Sequence, residues 1–137
     1  MTIAKYIHSC LLVEENGKRI LIDPGTFSFI EGKVRPEDFT SIDAILVTHE
    51  HGDHMAPDAI NTILKNNPDA VAYGYGAVAD ALRKANVARV ETLTEGKTEI
   101  AGIAVEVIPA RHESIPFPVP VNAAYIIGEK LLHPGDS

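Results

Sequence analysis

The chain has 137 residues, 45% of them hydrophobic, and a formal net charge of -7 at pH 7. This length corresponds to one domain that can bury a core of ordinary size. The negative charge and the scattered Lys and Arg residues argue against binding to nucleic acid or to an anionic membrane surface. The single cysteine, Cys10, excludes an internal disulfide, and the start of the chain lacks the pattern of a secretory signal. We therefore expect a cytoplasmic protein in which Cys10 is a small buried apolar residue.

The first third of the sequence contains short apolar runs that predict β-strands. These runs are "TIAKYIH" at 2–8, "CLLVEENGKRILID" at 10–23 and "DAILVTH" at 43–49. Asn16 and Gly17 form the dipeptide that closes tight hairpins, and they divide the second run into two strands. The three runs together predict a meander of strands.

Two helical patterns follow, separated by a short apolar run. "APDAINTILKNN" at 56–67 and "YGAVADALRKANV" at 75–87 place apolar residues at helical spacing, and Pro57 suits the first turn of the former. The run "AVAYG" between them predicts a strand, and "YGYG" connects that strand to the second helix. The last runs, "KTEIAGIAVEVIPA" and "NAAYIIGEKLLH", return to strand character. This order predicts an α+β fold with no internal domain boundary in residues 1–137.

The stretch "HEHGDH" at 49–54 contains three of the six histidines of the chain. It lies on the connection between a predicted buried strand and the first predicted helix, where functional residues concentrate. His49 and His51 are two apart, so their rings would leave the same side of an extended chain and share one cation. Asp53 and His54 are adjacent and would diverge, which favours a second metal ion beside the first. The alternative, a loop of solvated histidines, does not explain such crowding of metal-binding residue types.

Three further stretches accompany this motif in a fixed order: "GKRILIDPG" precedes it, and "PARHES" and "LLHPGDS" follow. The set resembles the signature of the metallo-β-lactamase-fold hydrolases. "YIHSCLLVEENGKRILIDPG" and "HPGDS" most resemble the lactonase-like branch typified by ascorbate-6-phosphate lactonase. The resemblance implies a four-layer αββα sandwich, and a chain that stops after its Gly-Asp motif would hold about the first two thirds of it.

The resemblance also implies a ligand set. His49, His51 and His112 would hold one ion, Asp53 and His54 would hold another, Asp136 would bridge the two, and Asp23 would orient a ligating histidine. Two Zn²⁺ or Mn²⁺ ions are expected, and iron is also compatible with imidazole and carboxylate ligands. Such ions ionise bound water near neutral pH, and Asp53 is the candidate that orients this water or takes its proton.

The other candidate functional residues each have two interpretations, one functional and one structural. His8 either lies near the metal centre, as a corresponding family position does, or is a hydrogen-bonded structural residue. His133, next to Pro134, is expected to support the site rather than to bind metal. The loop "IPFPVPV" at 115–121 is either a rigid apolar wall of a substrate pocket or a stiff surface loop.

The favoured function is metal-dependent hydrolysis of a small molecule that carries a lactone, ester or phosphodiester bond. The alternative is a metal-binding module or inactive half-domain that works by association with another chain. An incomplete fold would leave the apolar inner face of one sheet uncovered, and "IAVEVIPA" and "NAAYIIGEKLLH" are the strands expected to be left half-covered. We therefore expect either a homo-oligomer or a complementary C-terminal fragment as partner. The resemblance also implies a late histidine ligand for the second metal in the missing part, so we expect that metal to bind weakly.

Overall fold

The computed structural model describes residues 1–137 and contains ten β-strands and two α-helices. Six strands form the first sheet: β1 (Thr2–Lys5), β2 (Leu11–Glu15), β3 (Lys18–Ile22), β4 (Ala44–Val47), β5 (Val71–Tyr75) and β6 (Val90–Leu93). Four form the second sheet: β7 (Gly96–Ile100), β8 (Ile103–Pro109), β9 (Ala123–Ile127) and β10 (Leu131–His133). The helices are α1 (Pro57–Asn66) and α2 (Ala77–Lys84), and short 3-10 turns occur at Thr26–Ser28 and Pro36–Asp38.

The strands of the first sheet lie side by side in chain order. β1, β2 and β3 are antiparallel, and the β2–β3 hairpin turns through Asn16 and Gly17, which both have positive φ as the sequence predicted. The predicted meander is wrong from β4 onward, because β3, β4, β5 and β6 are parallel. Every residue of β4 is buried, as is usual for a parallel strand covered on both faces. The carboxyl ends of β3 and β4 therefore meet at one edge of the sheet.

Both helices pack on the same face of the first sheet. α1 begins at Pro57, as predicted, and buries Ile60, Ile63 and Leu64. α2 follows β5 after Gly76 and buries Val78 and Leu82. These side chains form one core with the side chains of β2, β3, β4 and β5 that face the helices. Amphipathic helices without strong capping residues are thus fixed mainly by packing on the sheet.

The second sheet packs against the other face of the first. Val105 and Val107 of β8 and Tyr125 of β9 form a second core with side chains of β2, β3 and β4. The Tyr125 hydroxyl donates a 2.7 Å hydrogen bond to the carbonyl oxygen of Val47, at the end of β4. This bond joins the two sheets directly beneath the loop that carries "HEHGDH".

The expectation that β8 and the strands after it would have an uncovered inner face is wrong, because the first sheet covers that face. The outer face of the second sheet is the exposed one, and Leu132 on it is 57% exposed. The α+β prediction is confirmed, and the chain supplies three layers, namely helices, first sheet and second sheet. Neither helix has the length and apolar character needed to cross a membrane.

Cys10 is fully buried, and burial raises the pKa of its thiol to about 12 because a thiolate would lose its hydration there. We predict that Cys10 of the folded protein does not react with Ellman's reagent at about pH 8, where an ordinary exposed cysteine is partly ionised. The same reagent should modify one thiol per chain in concentrated guanidinium chloride. Fast reaction of the folded protein would contradict the burial of Cys10.

Candidate metal centre

The predicted ligands lie at the edge where β3 and β4 end. "HEHGDH" leaves β4 directly and curls into a turn, in which the amides of His54 and Met55 both donate 2.9 Å bonds to the carbonyl oxygen of His51. Gly25 packs against this turn so closely that a Cβ there would lie 1.9 Å from the carbonyl oxygen of Asp53. Only glycine allows that approach, so the segment after β3 holds the loop in place.

A first group of side chains consists of His49, His51, His112 and Asp136, whose ligand atoms all lie within 4.8 Å of one another. The Nε2 atoms of His49 and His112 are buried and have no hydrogen-bond partner. Each lies 3.6 Å from Oδ2 of Asp136. Buried nitrogen atoms are normally satisfied, so two that converge on one carboxylate fit a divalent cation between them.

A second group consists of His8, Asp53 and His54. Oδ2 of Asp53 lies 2.8 Å from Nε2 of His8 and 3.6 Å from Nε2 of His54. Oδ1 of Asp136 lies 3.0 Å from Nε2 of His54, while its other oxygen faces the first group. The carboxylate of Asp136 therefore lies between the two groups, in a position suited to bridging two ions.

The remaining hydrogen bonds of the histidines direct their Nε2 atoms into the centre. Nδ1 of His112 is 2.7 Å from the carbonyl oxygen of Glu113, which can only accept, so Nδ1 carries the proton. Thr48 Oγ1 donates its proton to Asp23, so at 3.0 Å it accepts from Nδ1 of His49. Nδ1 of His54 lies 2.7 Å from Oδ2 of Asp23. His49 and His112 thus present an unprotonated Nε2, the form that binds a metal, and the bond to Asp23 directs Nε2 of His54 into the centre.

Asp23 is fully buried at the end of β3. Its carboxylate accepts three hydrogen bonds, from the Thr48 amide at 2.8 Å, the Thr48 hydroxyl at 2.7 Å and Nδ1 of His54 at 2.7 Å. The residue adopts a positive φ of 49°, which an L-residue holds only when its surroundings require it. Asp23 thus contacts Nδ1 of His54, the ring nitrogen that does not face the centre.

His8 and His133 occupy different environments. His8 has a φ of 63°, packs edge-on against Phe27 and points its ring at Asp53. His133 lies outside both groups, with Nε2 3.1 Å from the carbonyl oxygen of Ser9 and Nδ1 accepting from the Gly135 amide at 3.2 Å. His133 therefore has no nitrogen free for a metal, whereas His8 faces the second group.

Asn122 is a supporting residue that the sequence reasoning missed. Its buried side chain donates 3.1 Å bonds to the carbonyl oxygens of Ala110 and Pro134 and accepts a 3.3 Å bond from the Asp136 amide. It thereby joins the segments that carry His112 and Asp136. A Cβ on Gly135 would lie 2.2 Å from Oδ1 of Asn122, so this contact requires glycine. No local pattern marks Asn122, because its three partners come together only in the folded chain.

The buried histidines differ in charge preference. Burial, helped by the neighbouring His54, lowers the pKa of His49 to about 4, so this ring is neutral at neutral pH. Burial also opposes charge on His54, but the carboxylates of Asp23 and Asp136 outweigh it and raise the pKa of His54. Burial favours the neutral form of Asp53, yet His54 and His8 lower its pKa, so Asp53 is ionised. The centre therefore concentrates carboxylate charge that a cation would neutralise.

Comparison with known proteins identifies the family. Residues 2–137 match the family described as the β-lactamase superfamily domain. The chain belongs to that family. It is 34% identical to protein Rv0786c of Mycobacterium tuberculosis, covering 100% of this chain and 64% of that protein, and 30% identical to a UPF0173 metal-dependent hydrolase of Pyrococcus abyssi, covering 100% and 62%.

A solved structure shows the same fold. Igni18, described as a metallo hydrolase from Ignicoccus hospitalis, superposes with a TM-score of 0.70 at 24% identity, over 98% of this chain and 60% of that one. The predicted metallo-β-lactamase fold is thereby confirmed. The chain spans less than two thirds of the length of these three relatives.

Alanine substitutions of His51 and His133 test the ligand assignment. We predict that His51→Ala loses most of the metal bound to the purified protein, because it removes a member of the first group. The matched change His133→Ala should keep its metal, since both ring nitrogens of His133 already have partners. Metal content per chain, measured by elemental analysis, decides between them. A full site in His51→Ala with an empty one in His133→Ala would overturn the assignment.

Asp23→Asn tests the support of His54. An amide has one acceptor oxygen and places an N–H₂ group opposite a donor, so one of the three bonds to Asp23 becomes a repulsive contact. We predict about 10- to 100-fold weaker metal binding, as is typical when a group that orients a ligand is lost. Titration with a competing chelator measures the affinity. Unchanged affinity would show that His54 needs no support from Asp23.

Proposed function

We propose that this protein is a metal-dependent hydrolase of small molecules in the cytoplasm. One observation carries the proposal: two adjacent groups of metal-binding side chains share the carboxylate of Asp136. The relative from Pyrococcus abyssi is itself called a metal-dependent hydrolase, and Igni18 is called a metallo hydrolase. The site lies at the surface end of the strands, where a substrate has access.

In this proposal His49, His51 and His112 hold one divalent ion, and Asp53 and His54 hold a second, with Asp136 between them. The unpartnered Nε2 atoms of His49 and His112 support the first assignment. Such ions polarise the bond to be cleaved and lower the pKa of water to about 7. Zn²⁺ and Mn²⁺ are the proposed ions, and iron fits the same donors.

Asp53 has the features of the group that handles the proton. Its carboxylate is ionised, and its side chain is 27% exposed, so it can reach both water and substrate. The 2.8 Å contact with His8 fixes the orientation of one carboxylate oxygen. In our proposal Asp53 orients the attacking water and takes its proton, while His8 holds Asp53 in place.

The proposed scissile bond is a lactone or carboxylic ester, with a phosphodiester as the third choice. The resemblance of "YIHSCLLVEENGKRILIDPG" and "HPGDS" to the lactonase-like branch supports lactones as our first choice.

The test is hydrolysis by protein stripped with a chelator and then reloaded with Mn²⁺ or Zn²⁺. Substrates are γ-butyrolactone, 4-nitrophenyl acetate and bis(4-nitrophenyl) phosphate. We predict that hydrolysis depends on the added metal and that Asp53→Asn lowers kcat by about 10²- to 10⁴-fold, the usual contribution of a general base. His133→Ala serves as the matched control and should retain activity. Equal rates with and without metal would contradict the proposal.

A second candidate is a metal-binding module that acts by association with another chain. The exposed outer face of the second sheet, with Leu132 and Ile126 on it, favours this alternative. A second copy or a complementary C-terminal segment would pack there. Tight metal binding without hydrolysis of any of the three substrates, together with a dimer in light scattering, would support it over the hydrolase.

A further inference from the structure

Exposed apolar side chains are concentrated around the metal centre. The chain has ten large hydrophobic residues with high exposure. Seven of them form two clusters: Ile7, Phe27 and Ile30, beside His8, which we call the first wall, and Ile115, Phe117, Val119 and Val121, on the segment after His112, which we call the second wall. Exposed apolar residues grouped beside a polar centre indicate a surface that binds something apolar.

The first wall is attached to the second group of metal-binding residues. The ring of Phe27 packs edge-on against His8, with centroids 5.5 Å apart. The hydroxyl of Ser28 donates a 3.1 Å bond to the carbonyl oxygen of Ile7, and the Thr26 amide donates a 2.8 Å bond to the carbonyl oxygen of Gly52. This wall is therefore held by the same loop that carries Asp53 and His54.

The second wall is the segment 113–121, which begins immediately after His112. Val119 and Val121 line an open cavity of about 260 Å³ together with Tyr75, Arg111 and His112. Prolines alternate with apolar residues along the segment, which restricts its conformations before anything binds. The Glu113 amide donates a 2.6 Å bond to the carbonyl oxygen of Asp136, so this wall too is attached to the centre.

A molecule whose reacting bond lies beside His112 can extend along the second wall, because Val119 and Val121 share a cavity with that residue. A cavity of this volume is smaller than a site for a drug-sized ligand, and it suits one alkyl chain or one aromatic ring. We propose that the substrate of this site carries an apolar alkyl or aryl group next to the bond that is cleaved, and that Val119 and Val121 contact this group. This inference rests on the proposed hydrolytic function and specifies its substrate class.

The experiment measures kcat/KM for 4-nitrophenyl acetate, butanoate, hexanoate and octanoate with the metal-loaded protein. Each buried methylene should raise kcat/KM by about three- to fourfold until the chain outgrows the wall. The double variant Val119→Ser/Val121→Ser should reduce the gain to less than about twofold per methylene, because its wall offers less apolar surface. Both side chains are exposed, so the variant should fold, and its melting temperature checks this.

Ile3→Ser is the matched control, because Ile3 is also exposed but lies on β1 outside both walls. It should keep the chain-length dependence of the unchanged protein. Hydrolysis with no preference for chain length would overturn this inference and leave the proposed function standing. Loss of the preference in Ile3→Ser as well would also overturn it.

A binding measurement separates this inference from hydrolysis. The probes are butanoate, hexanoate, octanoate and decanoate, titrated calorimetrically into the Mn²⁺-loaded protein. Affinity that rises with chain length, and rises less in the double variant, would support the apolar wall even if no ester is hydrolysed. Affinity independent of chain length overturns the inference. A change of oligomeric state in the double variant without a change in this dependence also overturns it, and identifies the surface as an interface between copies.

Discussion

The buried carboxylate of Asp23 is the contact on which the rest of the site depends. It lies at the end of β3 and accepts hydrogen bonds from the Thr48 amide and hydroxyl and from His54. These bonds exist only because β3 and β4 are parallel and end at the same edge. A carboxyl group in this buried position needs all three donors, so the first turn of the loop has little freedom. Thr48 and His54 in turn fix which nitrogen atoms face the centre.

The centre also couples the two sheets. His49 and His54 follow a strand of the first sheet, whereas His112 and Asp136 follow strands of the second. Asn122 joins the latter two segments, and the Tyr125 hydroxyl bonds to Val47 beneath them. The distances within the centre therefore depend on how the sheets pack, and changes in the core between the sheets will alter the relative positions of the metal-binding groups.

Local patterns predicted the local features of the fold. Helical periodicity with Pro57 marked α1, the Asn16-Gly17 pair marked the first hairpin, and the apolar run before Thr48 marked β4. The parallel pairing of β3 with β4 was missed, because it joins segments separated by a long connection with no strand signal of its own. β6 was missed because it is short and mostly exposed. For the site, the crowding of "HEHGDH" was visible in the sequence, whereas Asp23, His112 and Asp136 were assigned only through family resemblance, and Asn122 was not found at all.

The proline pattern of the second wall has a consequence for the behaviour of the protein in solution. Pro116, Pro118 and Pro120 alternate, and in an extended chain alternate residues direct their N–H groups to the same side. That side of the segment has no hydrogen-bond donor at these positions, so it cannot pair along its length with a strand of another molecule. An exposed apolar segment is normally a risk for β-aggregation. The side of the segment that carries the prolines therefore offers no edge for another chain to extend, although Phe117 and its neighbours are exposed to water.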